Sequence, residues 1–194
     1  MDSTSPTLLD RACKGDQSAW SQIVEMYRPF IYGWFLRRGV QLHDAEDMSH
    51  DVLAVLVRKL PDFVHNGERG SFRNWLRTVA GNRAKKYYES QQRRPDLPEG
   101  GSFTLESLGQ LENATSELTQ LWNQEHDRYL FRRLFEVIEG EYEAQTVAIF
   151  RRVVVDGEKP PLVADEFGVS IASVYAAKSR LLARLRKEIA RFME

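Results

Sequence analysis

The residues best equipped for metal or acid–base chemistry are Asp47, His50 and Asp51. On a helix their i, i+3, i+4 spacing sets two carboxylates and an imidazole on one face, an arrangement that metal ligands use. His43 and His126 are available to complete such a site. A metallohydrolase needs more than this. The chain has no HExxH, no paired CxxC and no glycine loop to cradle a phosphate. Four histidines in 194 residues supply the constellation by chance, and metal analysis of the purified protein separates the two readings.

A non-covalent chemistry is written into residues 70–94, GSFRNWLRTVAGNRAKKYYESQQRR. Arg73, Arg77, Arg83, Lys85, Lys86, Arg93 and Arg94 stand there against a single acid, Glu89, with Trp75, Tyr87 and Tyr88 threaded among them. Basic charge attracts phosphate, and flat rings give unstacked bases a surface to lie on. The same stretch also fits an amphipathic core helix with a solvated basic face. Phe72, Leu76, Val79, Ala80, Arg83 and Tyr87 fall on or beside one face at helical period, and Ser71 is placed to cap the start. Both readings stay open on this segment alone.

The elements that must position these groups are helical throughout, so the expected fold class is all-α. Hydrophobic content of 42% and charged content of 28% fit a soluble folded chain, one domain or two small ones. No apolar run approaches the roughly 20 residues needed to span a bilayer. The start, MDSTSPTLLD, lacks the basic-then-apolar plan of a signal peptide. A lone cysteine, Cys13, excludes an internal disulfide framework and fits a reducing compartment, so a cytoplasmic location is expected.

A net charge of −1 conceals strong segregation. Basic residues crowd 82–94 and 178–194, while 95–124 holds Asp96, Glu99, Glu106, Glu112 and Glu117 with no Lys or Arg. Two basic modules joined by an acidic strap is the pattern to be explained.

In chain order, residues 7–38 give one or two helices, with Pro29 placed to kink or cut the pattern. A helix from about Leu42 to Leu60 buries Ala45, Met48, Val52, Val55, Leu56 and Leu60 and carries Asp44, Asp47 and Asp51 as an acid ridge. Helix-dipole stabilisation accounts for Asp44 and Asp47; Asp51 lies two turns in, where a basic partner surface is the better account. Gly, Ser, Asn and Thr with scattered leucines make 95–124 a flexible acidic linker, its leucines able to form short turns or dock on a partner. Helices resume from Glu125. Near the end, Pro160-Pro161 starts a short helix, Gly168-Val169-Ser170 makes a tight turn, and Ile171 to about Phe192 forms a longer helix capped by Ser170. Ala164, Gly168 and Val174 are spaced as a helix-turn-helix requires: a small residue at the crossing, glycine in the turn, a branched plug on the second helix.

Three blocks, DAEDMSHDVLAVLVRKLPDF, GSFRNWLRTVAGNRAKKYYESQQRR and FGVSIASVYAAKSRLLARLRKE, resemble a bacterial sigma factor of the compact extracytoplasmic-function group. The resemblance covers nearly the whole chain in the right order. It implies a region 2 helical domain over 1–94, an acidic linker over 95–124 and a region 4 helix-turn-helix domain over 125–194. It implies core RNA polymerase and promoter DNA as partners, no cofactor and no catalysis; family members are often held by an anti-sigma factor, which nothing here identifies. Asp44, Asp47, His50 and Asp51 match the part that docks on the polymerase clamp helices. Phe72, Arg73, Trp75 and Arg77, with the loop 62–72, match the melting region, and Asn82, Arg83, Lys85 and Lys86 the part that reads the −10 element. Ser173, Tyr175, Ala176, Lys178, Ser179, Arg180 and Arg184 match the helix that reads the −35 element. Two departures stand out. Tyr175, Ala176 and Ala177 replace the usual Lys-Ser-Arg cluster, and His50 replaces the usual glutamine beside the docking aspartate. The rival reading is a helix-turn-helix regulator that acts without core polymerase; it needs neither melting aromatics nor an acid ridge, and it usually binds as a symmetric dimer.

Overall fold

The computed structural model describes residues 7–63, 71–92, 108–113 and 115–193, and all regular structure among them is helical. The helices are α1 (Leu8–Cys13), α2 (Gln17–Leu36), α3 (Leu42–Lys59), α4 (Ser71–Gln92), α5 (Glu117–Ile138), α6 (Ala144–Phe150), α7 (Pro160–Phe167) and α8 (Ile171–Met193). Compact packing divides the chain between Tyr129 and Leu130 into two units.

In the first unit, apolar residues at helical spacing decide which faces turn inward. Thr7 and Asp10 cap α1 reciprocally, and Asp16 accepts from the Ser18 and Ala19 amides to start α2. α2 buries Ile23, Tyr27, Phe30, Ile31, Trp34 and Phe35. Pro29 does not cut it: the helix runs on to Leu36. Pro29 and Glu25, whose carbonyl would have accepted the missing N–H, both lie on the exposed side, where solvent can reach that carbonyl. α3 packs on α2 and α4 through Ala45, Met48, Val52 and Leu56 and carries its polar face outward. Ser71, expected as the cap, is itself the first helical residue of α4, and its buried hydroxyl makes no hydrogen bond among the described residues.

The described part of 95–124 differs from a free linker. Leu108, Leu111, Leu118 and Trp122 are all buried in the first unit. Leu111 lies over Gly81 of α4, where a Cβ would stand only 3.0 Å from the leucine methyl, so any side chain there would press Leu111 outward. Trp122 stands edge-on to Phe30 and Trp34, with ring centroids 5.0 and 4.9 Å away. The acidic composition masked an apolar stripe that the first unit needs to complete its core. Residues 93–107, including Arg93 and Arg94, lie outside the described residues.

In the second unit α6 passes into a π-helical turn, Arg151–Val155. Ile149, Val153, Val163, Ala164, Val174 and Ala177 form its core beneath α7 and α8. Gly168 takes a left-handed φ of 62° at the turn, and the Ser170 hydroxyl accepts from the Ser173 amide at 3.1 Å to cap α8. The helix-turn-helix expected from Ala164, Gly168 and Val174 is built as that spacing requires.

Candidate nucleic-acid interface

On the outward face of α3, Asp47, His50 and Asp51 are exposed, and the apolar Leu42 and Val57 lie at 69% and 50% exposure. Asp44 is set apart. It accepts a hydrogen bond from the Tyr87 hydroxyl at 2.8 Å and is half-buried. Burial and that carboxylate push the Tyr87 hydroxyl up to about 12, so it remains a donor at neutral pH. Glu46 pairs with Arg28 at 3.1 Å, and Asp51 with Arg83 of α4 at 2.6 Å. Among the described residues no group of three His, Cys, Asp or Glu side chains is placed to hold a metal ion. His126, considered as a further ligand, is instead a core residue stacked on Tyr27.

α4 divides along its length. Asn82, Lys85 and Lys86 in its second half are exposed and lie on one side with Arg83. Its first half turns inward. Phe72, expected to offer its ring to a base, is only 1% exposed and packs edge-on to Tyr27 at 5.3 Å. That corrects its role: it is a core residue, since a ring buried on both faces has none left for a base. Trp75 is half-buried beside Phe63 and Phe72. Arg77 is corrected likewise. Its guanidinium is buried and donates to the Leu111 carbonyl and the Asn74 amide oxygen, each at 3.1 Å, leaving no free fork for phosphate. Arg73 donates to both carboxylate oxygens of Asp127, at 2.8 and 2.9 Å. Of the loop 62–72, residues 64–70 lie outside the described residues.

Sequence reasoning missed the acids that hold these cations. Glu125 takes Arg37 at 3.0 Å and Arg38 at 3.1 Å, and Asp127 takes Arg73. The available signal was their spacing, since Trp122, Glu125 and His126 sit three and four apart on one helix face. Burial pushes the His126 imidazole below its ordinary 6.5, against the opposing pull of Asp127. Burial raises the Asp127 carboxyl, but hydrogen bonds from His126 and Arg73 outweigh it and hold it ionised. An ionised Asp127 makes Nδ1 of His126 the donor at 3.1 Å and leaves Nε2 to face the Tyr27 hydroxyl at 3.5 Å.

A pH dependence follows. Because the folded imidazole titrates below the unfolded one, the unfolded chain takes the proton more readily. The stability from His126 is therefore fully present above 6.5 and falls as the pH drops below it. Between about pH 7.5 and pH 5.5 the first unit should lose stability with a slope of at most about 1.4 kcal/mol per pH unit, and His126→Gln should flatten that slope. Urea melts across this range read it, and an identical slope in the variant would assign the loss to other groups.

On α8, Ser173, Tyr175, Ala176, Ser179 and Arg180 are exposed and Lys178 is half-buried, opposite the buried Val174, Ala177 and Leu181. Arg184 is held by acids of its own unit. It is bonded to Glu141 at 2.7 Å and to the buried Glu188 at 2.6 Å. Hence Arg180→Ala should reduce the slope of log affinity against log salt for duplex DNA by about one, the effect of one lost phosphate contact. Arg184→Ala should leave that slope unchanged and destabilise the second unit by about 1–3 kcal/mol, because the buried Glu188 is then left to Arg191, at a looser 3.5 Å. Equal slope losses in both variants would return Arg184 to the DNA face.

Residues 23–94 match the family model for sigma-70 region 2. The chain is 33% identical over 92 residues to the ECF RNA polymerase sigma-E factor of Haemophilus influenzae, an alignment spanning 47% of each chain. It is 29% identical over 134 residues to the proteins of that name from Escherichia coli K12 and Salmonella typhimurium LT2, with 68% of each chain covered. The match thus spans about half the length of the first relative and about two thirds of the others.

Proposed function

We propose that this chain is an extracytoplasmic-function sigma factor whose surfaces direct core RNA polymerase to promoters, a reading supported by the region 2 match and by the sigma-E relatives. The observation that carries the proposal is the juxtaposition, within the region 2 match, of an exposed acid ridge on α3 and an exposed basic face on the adjacent α4. Asp47, His50 and Asp51 dock on the polymerase, with Leu42 and Val57 as apolar anchors beside them. Asn82, Arg83, Lys85 and Lys86 meet the −10 element. Arg73 and Trp75 lie at the melting end of α4, held by Asp127 and by the Phe72 core. Tyr175, Ala176, Ser179 and Arg180 on α8 meet the −35 element, with Lys178 toward the backbone. Asp44, on its hydrogen bond to Tyr87, orients α3 against α4 rather than touching the partner.

The mechanism is binding without chemistry of its own. Unstacking a base costs a few kcal/mol, and stacking on an aromatic ring returns about 1–3 kcal/mol per base. The docked polymerase supplies the catalysis, and the cytoplasm, where that polymerase works, is the proposed place of action. Among the described residues no helix is long and apolar enough to cross a membrane. Run-off transcription with core polymerase on genomic fragments tests the proposal: start sites that appear only with this protein are expected. A regulator acting alone would bind its DNA equally well without core polymerase, and start sites unchanged by its addition would end the sigma-factor reading.

A further inference from the structure

The ion pair between Asp51 and Arg83 joins the two surfaces just described. Asp51 stands on the exposed ridge of α3 and Arg83 on the basic side of α4, and the carboxylate accepts from Nε at 2.6 Å. The Asp51 side chain keeps 58% exposure and Arg83 27%, so each is reachable by a partner, but neither can serve a partner fully while holding the other. The neighbouring charges differ. Among the described residues Asp47 meets only His43, at a loose 3.9 Å, and Asp44 is taken by Tyr87. The one close contact between a carboxylate proposed for polymerase and a cation proposed for DNA, among the described residues, is therefore this pair.

We infer that the Asp51–Arg83 pair couples polymerase docking to DNA binding, each partner freeing the residue the other needs. This rests on the proposed sigma-factor function and adds an energetic link to it. A cation on the polymerase that draws off Asp51 leaves Arg83 without its counter-charge and available to phosphate. A phosphate that draws off Arg83 leaves Asp51 available to the polymerase. The pair is broken once, not twice, when both partners bind, so the coupling is positive and by thermodynamic reciprocity equal in both directions. Its size is that of an exposed ion pair, about two- to fivefold in affinity at low salt, shrinking as salt screens the pair.

Reciprocity gives the test two arms on the full-length chain. In the first, a fluorescent 20-nucleotide single-stranded DNA of mixed sequence is titrated with the free protein. Asp51→Asn should bind it about two- to fivefold more tightly than the parent. Asp47→Asn removes the same charge from the same ridge without touching Arg83, and should bind less than half as much tighter. In the second arm, purified core polymerase is titrated with labelled protein. Arg83→Gln, which frees Asp51, should bind core more tightly by the same factor as in the first arm. Equal gains in Asp51→Asn and Asp47→Asn would assign the effect to net charge and overturn the coupling. A core affinity unmoved by Arg83→Gln, with the parent binding core normally, would overturn it as well. A parent that binds no core polymerase would instead remove the sigma-factor reading, and the coupling with it. Thermal melts of all three variants show that the surface changes leave the fold standing.

Discussion

Replacing Trp122 with alanine is expected to destabilise the first unit by about 3–5 kcal/mol and to lower its melting midpoint by roughly 10 °C or more. The indole is fully buried, edge-on to Phe30 and Trp34. Its removal leaves a cavity that surrounding rings cannot close without leaving their rotamers. The loss also spreads beyond packing. Glu125 and Asp127 follow on the next turn and hold Arg37, Arg38 and Arg73, so a loosened α5 weakens those ion pairs too. Urea or thermal unfolding followed by circular dichroism measures the effect. A midpoint within a degree or two of the parent would mean that the start of α5 is not part of this core.

The double reversal Asp47→Lys with Asp51→Lys is expected to weaken association with core polymerase at least about 100-fold, the scale for turning attractive interfacial charges repulsive. Both side chains point away from the α3 core of Ala45, Met48, Val52 and Leu56. The fold should lose little more than the exposed Asp51–Arg83 pair, within about 1 kcal/mol. Co-purification with core polymerase is the readout, and a melt of the free variant guards against misfolding. Normal co-purification would show that the polymerase reads another face of α3.

Much of this was legible in the sequence because it depended on local rules. The Leu42–Lys59 helix, the proline start of α7, the left-handed Gly168 and the Ser170 cap each follow from residue types within one or two turns. Outward Asp47, His50 and Asp51 follow from period alone, because their helix buries a clear opposite stripe. The exposed face of α8 was legible for the same reason.

What the sequence alone left undetermined was which cations remain available. Seven basic residues in 70–94 look equivalent on a line, yet partners distant in sequence sort them. Arg77 goes to the Leu111 carbonyl, Arg73 to Asp127, Arg83 to Asp51, and on α8 Arg184 goes to Glu141. Phe72 and Trp75 are likewise both aromatic and both near the start of α4, but only the packed neighbours show that one is sealed in the core. Residue type and spacing thus determined an all-helical chain with its docking ridge and its turn. Tertiary structure decided which charges are spent within the chain and which face outward, because a charge finds its partner through space and not along the backbone.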